Sequence, residues 1–81
     1  MTVRVLIFGV LADRLGRRDL SVEFPAGANV AALLDALSSQ HEVIAAMRGG
    51  LAVAVNMGYA RPCDVLGEGD EVALIPPVSG G

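Results

Sequence analysis

LSVEFPAGANVAALLDAL, residues 20–37, is the stretch whose reading decides the fold. Leu20, Val22 and Phe24 alternate with Ser21 and Glu23, the pattern of a strand with one face in water. Pro25 and Gly27 end it. Asn29 is placed to cap a helix, and Val30, Leu33, Leu34 and Leu37 then fall at i, i+3, i+4 and i+7, so one side of that helix is a continuous apolar stripe. A half-buried strand that gives way within a few residues to an amphipathic helix calls for a sheet packed against a helix.

Working outward, Thr2 to Phe8 reads as a strand. Val3, Val5 and Ile7 occupy one face, while Leu6 and Phe8 make the other apolar near its end, which points to a central place in the sheet. Leu11 to Leu15 is a short helical turn closed by Gly16. A second short helical segment, from about His41 to Met47, carries Val43, Ile44 and Met47 on one side before Gly49 and Gly50 stop it. Leu51 to Asn56 follows as a third strand, Tyr59 marks a short fourth before the Arg61-Pro62 turn, and Leu66 to Asp70 is a turn-rich approach to the last strand, Glu71 to Ile75. Pro76 and Pro77 end that strand, since neither can donate to a ladder. A right-handed crossover through the long helix then brings a later strand alongside the first in parallel. The expectation is an α+β protein, a β-grasp (ubiquitin-like) roll with a mixed sheet packed on one main helix. A ferredoxin-like arrangement is the alternative, against which the shortness of the second helix counts. Residues 1–75 are expected to form the domain and residues 76–81 an extended tail.

Composition narrows the function classes. The 81 residues hold six Arg, no Lys and nine Asp plus Glu, for a net charge of −3, and 53% of them are hydrophobic. That apolar share is high for a chain of this size, which is expected to hide only about 62% of its surface on folding. An acidic chain without a basic stripe is a poor ligand for phosphate polymers, so neither nucleic acid nor an anionic membrane is an expected partner. One cysteine excludes an internal disulfide and, with His41 the sole histidine, a cysteine-based zinc site. A reducing, cytoplasmic setting fits that usage. The apolar run Val5 to Ala12 leads straight into Asp13, Arg14, Arg17 and Arg18 with no small-residue cleavage site, unlike a signal peptide.

The usual catalytic sets are missing. His41 has no nucleophile to pair with and reads as a solvated side chain. Cys63 stands beside Asp64, whose charge disfavours a thiolate, and reads as a packing or incidental residue. Gly67-Glu68-Gly69 is followed by Asp70 and Glu71, where a phosphate cradle needs unopposed N–H groups, so it reads as a turn. The order of Asp64, Glu68, Asp70 and Glu71 does not fit a calcium loop, and no metal site is expected.

The chain's end is different: Ile75-Pro76-Pro77-Val78-Ser79-Gly80-Gly81. Two prolines favour an extended segment, so the chain is expected to leave the last strand stiffly and point away from the domain. Gly80 and Gly81 have no Cβ and can enter a channel too narrow for any other side chain. On its own, Gly-Gly reads as a frayed terminus; behind Pro-Pro it suits delivery of an α-carboxylate to a site on another protein. A bare carboxylate is a poor electrophile, and ATP could activate it as an acyl-adenylate for replacement by sulfur.

Gly69-Asp70-Glu71-Val72-Ala73, followed by that ending, resembles the C-terminal signature of the MoaD family, the small sulfur-carrying subunits of molybdopterin synthase. Val53-Ala54-Val55-Asn56 and the opening Val5-Leu6-Ile7-Phe8 add to the likeness, which spans essentially the whole chain. The resemblance implies that Gly81 is adenylated by a MoeB-like enzyme related to ubiquitin-activating enzymes, using ATP, and then becomes a thiocarboxylate. It implies no bound cofactor. It also implies a MoaE-like large subunit, usually in a heterotetramer, into which the tail inserts to give sulfur to cyclic pyranopterin monophosphate. Gly80 would supply clearance, Pro76 and Pro77 the stiff lead, and Phe8, Leu74 and Ile75 part of the partner interface. Two positions depart from the pattern: Ala12-Asp13 stands where many relatives have Arg-Glu, and Met57-Gly58 where an acidic residue is frequent. Carriers of thiamine or cysteine biosynthesis, a ubiquitin-like modifier, and a β-grasp binding domain without chemistry stay open as alternatives.

Overall fold

The computed structural model describes residues 1–77. Five strands form one mixed sheet: β1 (Thr2–Ile7), β2 (Asp19–Glu23), β3 (Ala52–Val55), β4 (Gly58–Tyr59) and β5 (Glu71–Ile75), in the order β2-β1-β5-β3-β4. Three α-helices, α1 (Gly9–Leu15), α2 (Val30–Gln40) and α3 (Glu42–Met47), and a 3-10 turn (Arg48–Gly50) complete the elements among the described residues. This is the β-grasp arrangement. The first and last strands pair in parallel, Val5 beside Val72 and Ile7 beside Leu74, while β1 with β2, β3 with β5 and β3 with β4 are antiparallel.

Period-two alternation decides which side chains enter the core. Val3, Val5 and Ile7 of β1 and Val72 and Leu74 of β5 are buried, and they meet Val30, Leu33, Leu34 and Leu37 of α2 together with Leu11 and Ile44. The stripe expected on α2 is therefore the stripe that packs. Asn29 caps it, its side-chain oxygen accepting from the Ala32 N–H at 2.9 Å. The next two orphan donors of the helix, the N–H groups of Val30 and Ala31, reach the carbonyls of Asp64 and Pro62. Those bonds tie the 60–66 loop to the start of α2 and satisfy donors that a helix terminus leaves open.

Three differences from the sequence reading have plain causes. The first helix begins at Gly9, two residues earlier than expected, because Gly9 takes a left-handed φ of 60° that lets the chain turn directly off β1. Phe8, Leu51 and Asn56 lie outside the strands, because Phe8 is the N-cap of α1, Leu51 closes the 3-10 turn and Asn56 turns the chain with a φ of 50°. Cys63 is exposed, which leaves the incidental reading and removes the packing one, since the loop carrying it is fixed through its backbone carbonyls.

Candidate functional site

The last strand is the site's scaffold, and its two ends are held differently. At its start, Asp70 accepts from the Gly67 N–H at 2.7 Å and from the Asn56 side-chain amide at 2.9 Å, while Asn56 Oδ1 accepts from the Glu71 N–H at 3.0 Å. The backbone N–H of Asn56 also donates to the Glu71 carbonyl. Asn56 and Met57 both have positive φ, the geometry of a two-residue hairpin turn between β3 and β4. The Gly67 N–H, followed by the Asn56 amide, holds the Asp70 carboxyl below its ordinary value, because both donors favour the charged form. Glu68 adds a bond from the Thr2 N–H at 2.7 Å. The acidic turn thus fastens β5 to both of its neighbours.

At the other end, the Phe8 N–H reaches the Leu74 carbonyl at 3.3 Å, continuing the β1–β5 ladder to its last possible bond. Pro76 is buried. Its ring lies over Gly9, where a Cβ would come within 3.0 Å of Pro76 Cγ, and the Pro77 ring lies over Gly50, where a Cβ would come within 3.4 Å of Pro77 Cγ. The stiff lead expected to leave the domain at Pro76 starts later, since both prolines still touch it, and the course of the chain beyond Pro77 lies outside the described residues. A fixed φ removes the freedom to bend, and the missing N–H ends the ladder, so the rings do the anchoring that hydrogen bonds no longer can.

Of the residues expected at a partner surface, Phe8 is 47% exposed and Ile75 is half-buried. Leu74 is wholly buried among the core side chains and has no surface to offer a partner. That placement follows from alternation, since Leu74 shares its face with Val72 and Ile75 shares the opposite face with Ala73. On the outer face the register aligns Leu6, Ala73, Ala54 and Tyr59 across four strands, with Ile75 and Ala52 in the next row. Tyr59 is 84% exposed there. An open cleft of about 450 Å³ flanks the exit on the β1 side, lined by Phe8, Gly9, Ala12, Asp13 and Arg18 among others. Gly80 and Gly81, the residues expected to carry the chemistry, lie outside the described residues.

Other candidates are accounted for structurally. His41 links α2 to α3, its N–H donating to the Leu37 carbonyl and its carbonyl accepting from Ile44 and Ala45. Asp64 closes a local turn by accepting from the Arg61 N–H at 2.8 Å. Among the described residues no cluster of three His, Cys, Asp or Glu side chains could hold a metal ion, and no helix is long and apolar enough to cross a membrane. Sequence reasoning missed Gly9, Gly50 and Asn56. Gly50 was legible only as a helix stop, and the links of all three are to residues distant in the chain.

Comparison with known proteins supplies what the geometry of one chain cannot. The ThiS family model matches residues 5–81. The molybdopterin synthase sulfur carrier subunit of Chlamydomonas reinhardtii is 35% identical over 83 residues, covering 100% of both chains. Among solved structures, SAMP1 of Haloferax volcanii, a small archaeal modifier protein, superposes with a TM-score of 0.88 at 31% identity, covering 100% of each chain. One subunit in the complex of subunits 1 and 2 of the molybdopterin-converting factor from Helicobacter pylori is similar at a TM-score of 0.72 and 28% identity, again over 100% of both chains.

Proposed function

The chain belongs to the ThiS family, and from that premise we propose that it is the sulfur carrier subunit of a molybdopterin synthase. The observation that carries the reading is full-length similarity to a sulfur carrier subunit, in a chain whose Pro76-Pro77 root is seated at the end of β5 and whose sequence ends in Gly80-Gly81. The domain, residues 1–75, is the handle and residues 76–81 the working arm. A carboxylate oxygen of Gly81 attacks the α-phosphorus of ATP on a separate MoeB-like adenylating enzyme and pyrophosphate leaves. A sulfur nucleophile then attacks the acyl carbon, AMP leaves, and the tail ends in a thiocarboxylate. Gly80 gives the arm clearance in a narrow channel.

In the Helicobacter pylori structure a similar chain is in complex with subunit 2. By analogy, this chain pairs with a MoaE-like large subunit, two of each forming a heterotetramer, and the large subunit supplies the precursor site. Phe8 and Ile75, on the open face beside the exit, are the proposed contacts. Exposed apolar area at Phe8 and Tyr59 suits burial against a partner, and Arg4, Asp19 and Glu71 add charge to the same face of the sheet.

Intact-mass measurement after incubation with adenylating enzyme, ATP and a sulfur donor tests the proposal. The expected result is a mass gain equal to the difference between sulfur and oxygen, lost when Gly81 is deleted. Wild-type protein that gains nothing with competent enzymes sinks the reading. Likeness to an archaeal modifier favours one second reading, attachment of Gly81 to other proteins; it predicts isopeptide-linked adducts, never to a copy of this chain through a side chain, because the sequence has no Lys.

A further inference from the structure

We infer that the end of the sheet where β5 gives way to Pro76 and Pro77 docks against an acidic protein surface, and that Arg17 and Arg18 are the residues that recognise it. Which protein carries that surface, the large subunit, rests on the carrier reading above. Four of the six arginines have other work. Arg4 pairs with Asp19, Arg48 with Asp35 and Arg61 with Asp64, and Arg14 stands in the last turn of α1, where a cation complements the helix C-terminus. Arg17 and Arg18 are exposed and make no ion pair among the described residues.

The Ile7 N–H donates to the Arg18 carbonyl at 2.9 Å, which fixes the pair beside the end of β1. Arg18 lines the exit cleft with Leu6, Phe8 and Gly9, and Gly9 faces the Pro76 ring. Asp13 lines the same cleft and offsets one of these charges, so the arginines still outnumber the acids there. The other end of β1 is the reverse. Thr2 donates from its N–H to Glu68 and from its hydroxyl to Glu23, and Asp70 and Glu71 lie beside Arg4 at the start of β5. Thr2 and Ile7 stand about 17 Å apart at the rise of a strand, roughly two Debye lengths at physiological ionic strength. Each end is therefore screened from the other, and the net charge of −3 does not describe what a partner meets at the exit. Phe8, exposed beside Arg18, decides between kinds of anion. A phosphate polymer gains little by covering an aromatic ring at this edge, whereas a protein face buries it among ion pairs.

The test follows association of the intact chain with the large subunit by stopped flow at about 20 mM and about 300 mM salt. Arg17→Gln and Arg18→Gln, singly and together, are compared with Arg61→Gln, which removes the same charge beyond β4, at the far edge of the sheet from β2. At low salt each single variant at the exit is expected to associate about two- to threefold more slowly and the pair about tenfold, with Arg61→Gln near wild type. At high salt the differences shrink to within about twofold, and thermal unfolding is the same throughout. Unchanged rates for the pair, or an equal loss in Arg61→Gln, overturn the inference, the second because net charge alone then sets the rate.

Amide NMR with a polyglutamate peptide reads the patch without the large subunit. Movement of the Arg17, Arg18 and Phe8 resonances, with Thr2 and Glu68 still, supports it; an unmoved patch overturns it. An oligonucleotide of equal charge that moves the same resonances further than the peptide overturns the preference for protein. Wild-type protein that does not bind the large subunit defeats the carrier reading alone and leaves the peptide titration to decide the patch.

Discussion

The two ends of β5 are fastened by opposite means. At Asp70 and Glu71 the strand is held by directional polar bonds to Asn56 and Gly67, each needing a particular atom at a particular place. At Pro76 and Pro77 it is held by ring faces against glycines and by one last backbone bond from Phe8. Polar bonds fix register, because slipping one residue breaks them all and turns Val72 and Leu74 out of the core. Ring packing consumes no donor or acceptor, so it holds Pro76 and Pro77 against the domain where the ladder bonds of β5 have stopped. A carrier needs both, the first for a stable body and the second for an anchored root.

The comparison is broken hardest at Leu74, which serves both ends through its buried side chain and its carbonyl bond to Phe8. Leu74→Ala should cost about 2–5 kcal/mol of unfolding free energy, measured by urea denaturation, because the methyl groups removed leave a cavity in a fully packed site. A loss under about 1 kcal/mol would show that the core refills around it. Asn56→Ala cuts the entry fastening alone. Its expected cost is about 1–2 kcal/mol, since Asp70 loses one partner and the Glu71 N–H another. Sulfur transfer by the folded Asn56→Ala protein should stay near wild type. A transfer defect of about tenfold or more in the folded variant would erase the distinction between the two ends.

The smallest expected effect is on pH dependence. Asp70 is depressed below 3.8 in the folded chain, so its contribution to stability is present above that value and is lost as the pH falls through its folded pKa. Asp70→Asn should therefore be less stable than wild type at neutral pH, with the gap narrowing below about pH 4. A gap that stays constant through the acid range would show that the carboxylate charge contributes nothing.

Local patterns were legible in the sequence. Alternation in β1 and the helical spacing of Val30, Leu33, Leu34 and Leu37 predicted burial correctly, because each reports the exposure of one element to one neighbouring layer. The same alternation, carried through β5, separates Leu74 from Ile75. Treating that strand's end as a contiguous apolar patch put both on the surface, and the pleat rules one of them out. What stayed illegible was non-local. Nothing about Gly9 or Gly50 as letters announces a proline ring more than twenty residues away, and Asn56 reads as the end of a strand until Asp70 is brought to it. The contacts at the root of the terminal motif were illegible too, because a proline's missing N–H says where a ladder stops and nothing about where the ring rests.

Parallel pairing of β1 with β5 has a mechanical consequence. The two strands run side by side, and the chain enters the first at one end of the sheet and leaves the second at the other. Tension between the N-terminus and a tail gripped by a partner therefore pulls these strands along their length in opposite directions, loading their evenly spaced hydrogen bonds together in shear instead of peeling them one at a time. Any pull applied at Pro76 and Pro77 is therefore borne by the whole β1–β5 seam. The strand made first in the chain is the anchor that keeps the last one from unravelling under load.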